Sequence, residues 1–288
     1  MPALLLSATR PRQWSKNLLV FIAGLTSGDV FGFEVWPKLW LAFLIFTSAS
    51  AAMYLINDVY DKEVDAKHPK KKYRSIASGQ LSPSAALLAA AALMSISVIG
   101  VTALPKKSLL LLVVYLLMTL LYSLKLKSVR IVEILVVSTG FVLRIWFGAS
   151  SINVPMSVWL CVCVYSGSMM IVIAKRHAEL RFHDPKIVRA VVLKYKKKTL
   201  QITGFFASLC LITTYILWTF FGQQETLTDR LLLYFSCIPF IVGVSKFYHE
   251  DQTRGVEEPE EFLLSNQTMQ ISGALFLVFL VFGLYVNS

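Results

Sequence analysis

The sequence predicts an all-α, polytopic membrane protein, and three observations carry that prediction. Hydrophobic residues make up 56% of its 288 positions and charged residues only 16%, with a mean hydropathy of +0.63. A soluble domain is about a quarter charged and less than half apolar, which makes a soluble enzyme improbable and excludes disorder, collagen and a disulfide scaffold. Apolar runs of roughly 20 residues, the length that crosses a bilayer, recur from end to end. Finally, 28 basic residues face 17 acidic ones, and apolarity alone does not explain that imbalance.

Nine candidate spans can be placed: Asn17–Phe33, Val35–Asn57, Ser84–Leu104, Ser108–Leu124, Ile131–Ser151, Met156–Ala174, Leu200–Gly222, Leu231–Tyr248 and Gln270–Val286. They form a bundle with little chain left over, so residues 1–288 are expected to be one integral membrane domain. The first run is the most polar, at Thr26, Ser27, Gly28 and Asp29, and lacks the small-residue cleavage site of a signal peptide. With the N-terminus inside, 22 Lys/Arg fall in cytoplasmic segments and 4 outside, at Lys38, Lys106, Lys107 and Arg230. The positive-inside rule therefore predicts a cytoplasmic N-terminus and an external C-terminus.

The acidic residues gather on the same side, so that face is polar in both signs. Cys161, Cys163, Cys210 and Cys237 lie inside apolar runs without metal-ligand spacing and read as inert thiols. His68, His177, His183 and His249 lie at cytoplasmic span ends, and no pair has zinc-like spacing.

The strongest local signal closes the second span, in Asn57-Asp58-Val59-Tyr60-Asp61-Lys62-Glu63-Val64-Asp65. If the helix continues, Asp58, Asp61 and Asp65 share a face that Asn57 joins. Crowded carboxylates repel, and a divalent cation relieves the repulsion. Hard oxygen donors favour magnesium, which also takes substrate phosphates as ligands. The plain alternative is a solvated acidic helix end balanced by the lysines that follow.

Next comes His68-Pro69-Lys70-Lys71-Lys72-Tyr73-Arg74. Lys70–Lys72 read as orientation charge, while Arg74 is suited to clamp a phosphate bidentately. Lys175-Arg176-His177-Ala178-Glu179 closes the sixth span. Lys175 and Glu179, four apart, either form a helical ion pair or belong to an anion site. Arg144 lies in the middle of the fifth span, where an arginine costs about 3 kcal/mol and must face a partner or a cavity. Glu133, eleven residues earlier, is a candidate partner across a polar cavity. Lys194–Lys198 is too short a basic tract to suggest nucleic acid and fits lipid headgroups.

Arg10-Pro11-Arg12-Gln13-Trp14-Ser15-Lys16-Asn17 together with Asn57–Asp65 resembles the UbiA superfamily of intramembrane prenyltransferases. The chain is most similar to the branch of decaprenyl-phosphate phosphoribosyltransferases. Further matches are Tyr122–Lys127, Gly140…Arg144 and Lys175-Arg176…Glu179, in order over nearly the whole chain. Family members that use a prenyl diphosphate carry a second Asp-x-x-x-Asp motif, and here Lys175-Arg176-His177 stands in its place.

The resemblance implies a nine-helix bundle with a cytoplasmic-side active site in a bacterial-type cell membrane. It implies transfer of 5-phosphoribose from 5-phosphoribosyl diphosphate to a polyprenyl phosphate, with Mg2+ and release of diphosphate. On that reading Asn57, Asp58, Asp61 and Asp65 hold the metal, and Asp58, Asp61 and Lys175 act in catalysis. Lys16, Asn17, Arg74, Tyr122, Lys127, Arg144, Arg176, His177 and Glu179 contact substrate. The chain departs from the family in having Arg74-Ser75 for Arg-Pro, Glu133 for Asp, and Asn266 for Asp. An ordinary UbiA-type prenyl transfer to an aromatic or other acceptor is the alternative. A transporter would be expected to show inverted repeats, which the sequence lacks. Formation of a homo-oligomer is left open.

Overall fold

The computed structural model describes residues 2–25, 32–69, 71–182, 191–221 and 227–285. Thr26–Asp29, Lys70, His183, Gly222 and Val286, named above, lie outside the described residues, as do the basic residues Lys186 and Arg189. Among the described residues there are helices and no strands. In chain order these are α1 (Pro2–Ala8), α2 (Pro11–Trp14), a 3-10 segment Ser15–Phe21, α3 (Ile22–Leu25), α4 (Val35–Tyr60), α5 (Lys62–Lys67), α6 (Pro83–Val101) and α7 (Lys106–Leu124). They continue with α8 (Val132–Ser151), α9 (Val158–Phe182), α10 (Lys197–Phe221), α11 (Leu227–Thr253), α12 (Pro259–Ser265) and α13 (Gln267–Tyr285).

Eight of the described helices are long and apolar enough to cross a membrane. They match the second to ninth predicted spans. The first predicted span is represented by the short Ser15–Phe21 and Ile22–Leu25 segments and is not among the eight. The chain is a multi-pass membrane protein. Large apolar side chains such as Leu88, Ile99, Leu110 and Phe206 point outward on these helices, as lipid contact requires.

Two compact units can be distinguished, residues 1–126 with 143–156, and residues 127–142 with 157–288. In the first, α4 packs on α6. Small residues pack together there, among them Ala52, Ala86 and Ala90, and let the backbones approach as membrane helices favour. The Ser97 hydroxyl donates to the Ile45 carbonyl at 3.1 Å across the pair. Ser82 caps α6 by accepting from the Ala85 N–H, with Pro83 next to it in the first turn. Gly148 is where Ser15–Phe21 passes closest, since a Cβ there would lie 2.0 Å from the Val20 carbonyl oxygen.

In the second unit, α9 packs on α10, α10 on α11, and α11 on α13. Ile173, Leu200, Leu211 and Phe247 fill its core. At the end of α11 the Gly255 N–H donates to the Glu250 carbonyl at 2.9 Å. Gly255 has φ +77°, the left-handed geometry that glycine supplies at helix ends.

Candidate active site

Several helices run past the apolar windows read from the sequence, and the polar clusters ride on those extensions. In the first unit α4 continues to Tyr60, breaks at Asp61 (φ −89°, ψ 5°) and resumes as α5. The break leaves the i→i+4 pattern nearly intact, because the Asp61 N–H donates to Asn57 O at 2.9 Å and the Asp65 N–H to Asp61 O at 2.8 Å. Asn57–Asp65 thus keeps nearly helical spacing, but the carboxylates do not share one set of partners. Asp58 and Asp65 are buried and face Arg74, whose Nη1 lies 2.5 Å from Asp65 Oδ2 and 3.2 Å from Asp58 Oδ1. Asp61 instead accepts from Asn57 Nδ2 at 3.2 Å.

The segment after α5 is folded back to deliver Arg74. His68 Nδ1 accepts from the Lys71 N–H at 3.3 Å, the Leu81 N–H donates to Ser75 O at 2.8 Å, and Ile76 and Leu81 anchor in the core beside Leu55. Lys71 Nζ approaches Asp65 at 3.8 Å. Arg10 completes the cluster by donating to Asp58 Oδ1. Its guanidinium also lies 5.0 Å from the centre of the Tyr54 ring, a favourable cation–π distance. Its backbone is left-handed at φ 56°, which a side-chain-bearing residue adopts only when its surroundings impose it.

Deeper in the same unit, Arg144 is buried, with Nε donating to Asn17 Oδ1 at 2.9 Å and Nη2 to the Tyr115 hydroxyl at 3.4 Å. Its guanidinium carbon lies 5.3 Å from the centres of both the Phe46 and Tyr115 rings. Asn17 Nδ2 in turn donates to Thr47 and Ser50, at 3.1 Å each. Asn17 and Arg144, expected to contact substrate, thus form one polar network inside the helix packing. Lys16 and Tyr122 are half-buried at helix ends.

In the second unit α9 runs through to Phe182, so Lys175–Glu179 is helical rather than part of a loop. Arg176 is buried and bonds Glu133 Oε1 through Nε at 2.9 Å and Glu179 Oε1 through Nη1 at 2.6 Å. Glu133, considered above as a partner of Arg144, is fully buried against Arg176. Glu179, considered as a partner of Lys175, bonds Arg176, while Lys175 Nζ lies 3.2 Å from both carboxylate oxygens of Glu260. His177 is 1% exposed, and its Nδ1 lies 3.1 and 3.2 Å from the Asp251 carboxylate oxygens. Gln252 Nε2 steadies Asp251 at 2.9 Å.

Tyr195 accepts from the Ile131 N–H at 2.8 Å, and burial pushes its phenol above the usual value. Lys127 is half-buried in the short turn that precedes α8. An apolar groove of about 580 Å³, lined by Met170, Phe240, Phe247, Leu264, Met269 and Phe276, opens between α9, α11 and α13.

Sequence reasoning did not assign Arg10, Lys71, Tyr115, Asp251 or Glu260 to a site. Arg10 lies 48 residues from Asp58 in the sequence, and its place in the Arg10–Asn17 motif was the available signal. Asp251 and Glu260 lie 74 and 85 residues from their partners, and nothing local marks them.

The donor set of the stripe fits magnesium in kind, since three carboxylates and an amide offer only hard oxygens. Here Asp58 and Asp65 hold guanidinium groups. Among the described residues no three His, Cys, Asp or Glu side chains are gathered to grip a metal.

The protein is thus an integral-membrane one whose spanning helices carry buried acidic and basic clusters, and its relatives make it a transferase. The chain belongs to the UbiA prenyltransferase family, whose model matches residues 17–266. It is 32% identical over 270 residues to the decaprenyl-phosphate phosphoribosyltransferase of Mycobacterium tuberculosis, covering 92% of this chain and 88% of the relative. A relative with the same description in Corynebacterium glutamicum is 29% identical, over 98% and 87% of the two chains. Among solved structures, the UbiA homolog from Archaeoglobus fulgidus bound to GPP and Mg2+ superposes with a TM-score of 0.73. That match has 16% identity and covers 98% of this chain and 99% of the other.

Proposed function

We propose that this transferase moves 5-phosphoribose from 5-phosphoribosyl diphosphate to a polyprenyl phosphate in a magnesium-dependent reaction that releases diphosphate. The observation that carries this reading is the similarity, over nearly the full chain, to relatives named for that reaction. The residues agree with it. One acidic stripe is present, and the segment at the end of α9 presents Lys175, Arg176 and His177 instead of a second pair of aspartates.

Asn57, Asp58, Asp61 and Asp65 would hold magnesium. When bound, the metal supplies neutralisation of the charge that develops on the departing diphosphate. Arg74 and Arg10 offer guanidinium donors to phosphate oxygens, the fork geometry that suits such groups. Lys16, Tyr122 and Lys127 provide further donors for the phosphates.

In the second unit, Arg176 acts as a positioning residue whose pairing with Glu133 and Glu179 holds the end of α9. Lys175, at its rim with Glu260, is the cation presented to an anion. The acceptor phosphate is already an anionic nucleophile, so no side chain has to remove its proton. Its oxygen attacks the anomeric carbon as the carbon–oxygen bond to diphosphate breaks and the leaving group takes the electron pair, through an oxocarbenium-like transition state. The apolar groove beside α12 offers a surface for part of the polyprenyl chain. Each methylene contributes little discrimination there, so length selectivity is expected to be shallow. The reaction is assigned to the cytoplasmic side of a bacterial-type membrane, where the basic residues concentrate.

The test is a donor comparison on the purified protein with magnesium. Label from 5-phosphoribosyl diphosphate should enter decaprenyl phosphate, and label from a prenyl diphosphate should enter no acceptor. Incorporation from the prenyl diphosphate alone would reject the proposal in favour of ordinary prenyl transfer.

A further inference from the structure

Arg74 Nη1 stands between two carboxylates seven residues apart, 2.5 Å from Asp65 and 3.2 Å from Asp58. A single positively charged group thus bridges two carboxylates of the stripe that would hold a divalent cation. Arg10 meets Asp58 Oδ1 from the turn between α1 and α2.

The partners differ in accessibility. The side chains of Asp58 and Asp65 are 5% and 4% exposed, those of Arg10 and Arg74 26% and 30%. Buried carboxylates cannot lose their cations without replacement, because an uncompensated buried charge is heavily penalised. The arginines, in contrast, reach the carboxylates from an accessible rim and can turn outward. Arg10 lies at the same time 5.0 Å from the centre of the Tyr54 ring.

We infer that Arg10 and Arg74 are exchange partners of the metal: they neutralise Asp58 and Asp65, and they pass to diphosphate oxygens when a divalent cation takes those carboxylates. This inference rests on the reading of the stripe given under the proposed function and adds an order to it. Arg10, Arg74 and Lys71 together neutralise the two buried carboxylates. A divalent cation arriving alone would set its charge beside both guanidinium groups, and like charges repel. Arriving with a diphosphate, it brings the anion to which the arginines can turn. Metal and diphosphate should therefore bind together far better than either binds alone, and the two arginines should be the cause.

Electron paramagnetic resonance of Mn2+ as the metal probe, with inorganic diphosphate, tests this on the full-length protein in detergent. Arg74→Gln should bind Mn2+ alone about tenfold more tightly than wild type, since a charged hydrogen-bonding competitor has been removed. The extra affinity that diphosphate confers on wild type should shrink in that variant. Arg10→Gln should shift in the same direction, and Arg74→Lys, which keeps the charge, should stay near wild type. Size-exclusion profiles and thermal melts establish that each variant is folded.

If Arg74→Gln does not fold, Arg10→Gln decides: added diphosphate must raise the bound Mn2+ more in wild type than in Arg10→Gln. Asp61→Asn, which leaves the buried ion pairs in place, separates the exchange from the metal reading of the stripe. Wild-type Mn2+ binding in Asp61→Asn would remove the metal reading and the exchange with it. Loss of binding in Asp61→Asn, combined with no gain in Arg74→Gln or Arg10→Gln, would overturn the exchange and leave the stripe standing.

Discussion

Asp61→Asn is expected to lower magnesium-dependent diphosphate release by at least about 100-fold, the loss that follows when a group stabilising charge in the transition state is removed. Asp61 is the most informative of the three aspartates for this purpose. Asp58 and Asp65 are buried under Arg10, Arg74 and Lys71, so replacing either one unbalances several cations and mixes folding with chemistry. Asp61 is half-buried at the α4–α5 break, beside Asn57. A neutral isostere fits there with little rearrangement. The measurement is single-turnover release of labelled diphosphate, alongside a thermal melt that should move little. Full activity in a folded Asp61→Asn protein would sink the assignment of the stripe.

Arg176→Met is expected to cost about 3–5 kcal/mol of stability, because it removes the guanidinium that pairs with a buried carboxylate. Glu133 is 0% exposed and bonded by Arg176 at 2.9 Å, so water cannot replace the lost partner. Glu179, on the next turn of α9, stays more accessible and contributes less to the loss. Combining Arg176→Met with Glu133→Gln should recover much of the deficit, since a neutral amide is far cheaper to bury than an unpaired charge. Denaturant unfolding in mixed micelles distinguishes the cases. A single variant within about 1 kcal/mol of wild type, the range of an exposed pair, would show that the pair is not a buried structural one.

The transmembrane architecture was legible because a bilayer fixes both the length and the polarity of what crosses it. Val35–Asn57 and Ser108–Leu124 announce themselves by composition alone. The first span was the exception: it is polar at Thr26–Asp29, and the described portion is a 3-10 segment with one short helical turn. Helix ends were harder to place. Apolarity stops at Ala174, yet α9 continues to Phe182, because backbone hydrogen bonding does not stop where the lipid does.

The acidic stripe was legible because its members are local and helical spacing is fixed. Its division, with Asp61 turned to Asn57 and the other two turned to Arg74, depends on how residues 68–81 fold back. That is set by tertiary anchors such as Ile76 and Leu81. The pairing of the basic cluster was the least legible. Arg176 chooses Glu133 and Glu179, Lys175 chooses Glu260, and His177 chooses Asp251. Three of those four partners come from other helices, and no spacing rule reaches them.

The arginine clasp on Asp58 and Asp65 has a practical side. In a zinc finger the metal holds the fold together, and a chelator unfolds it. Here the negative charge at the end of α4 is met by the chain's own side chains, so the fold does not borrow its integrity from an ion. Preparations stripped with EDTA should keep their melting temperature and regain turnover when magnesium is restored. A melting temperature that collapses on chelation would mean that the arginines do not carry that burden. On the proposed reading, one divalent metal should then be exchangeable for another at the bench without refolding the scaffold.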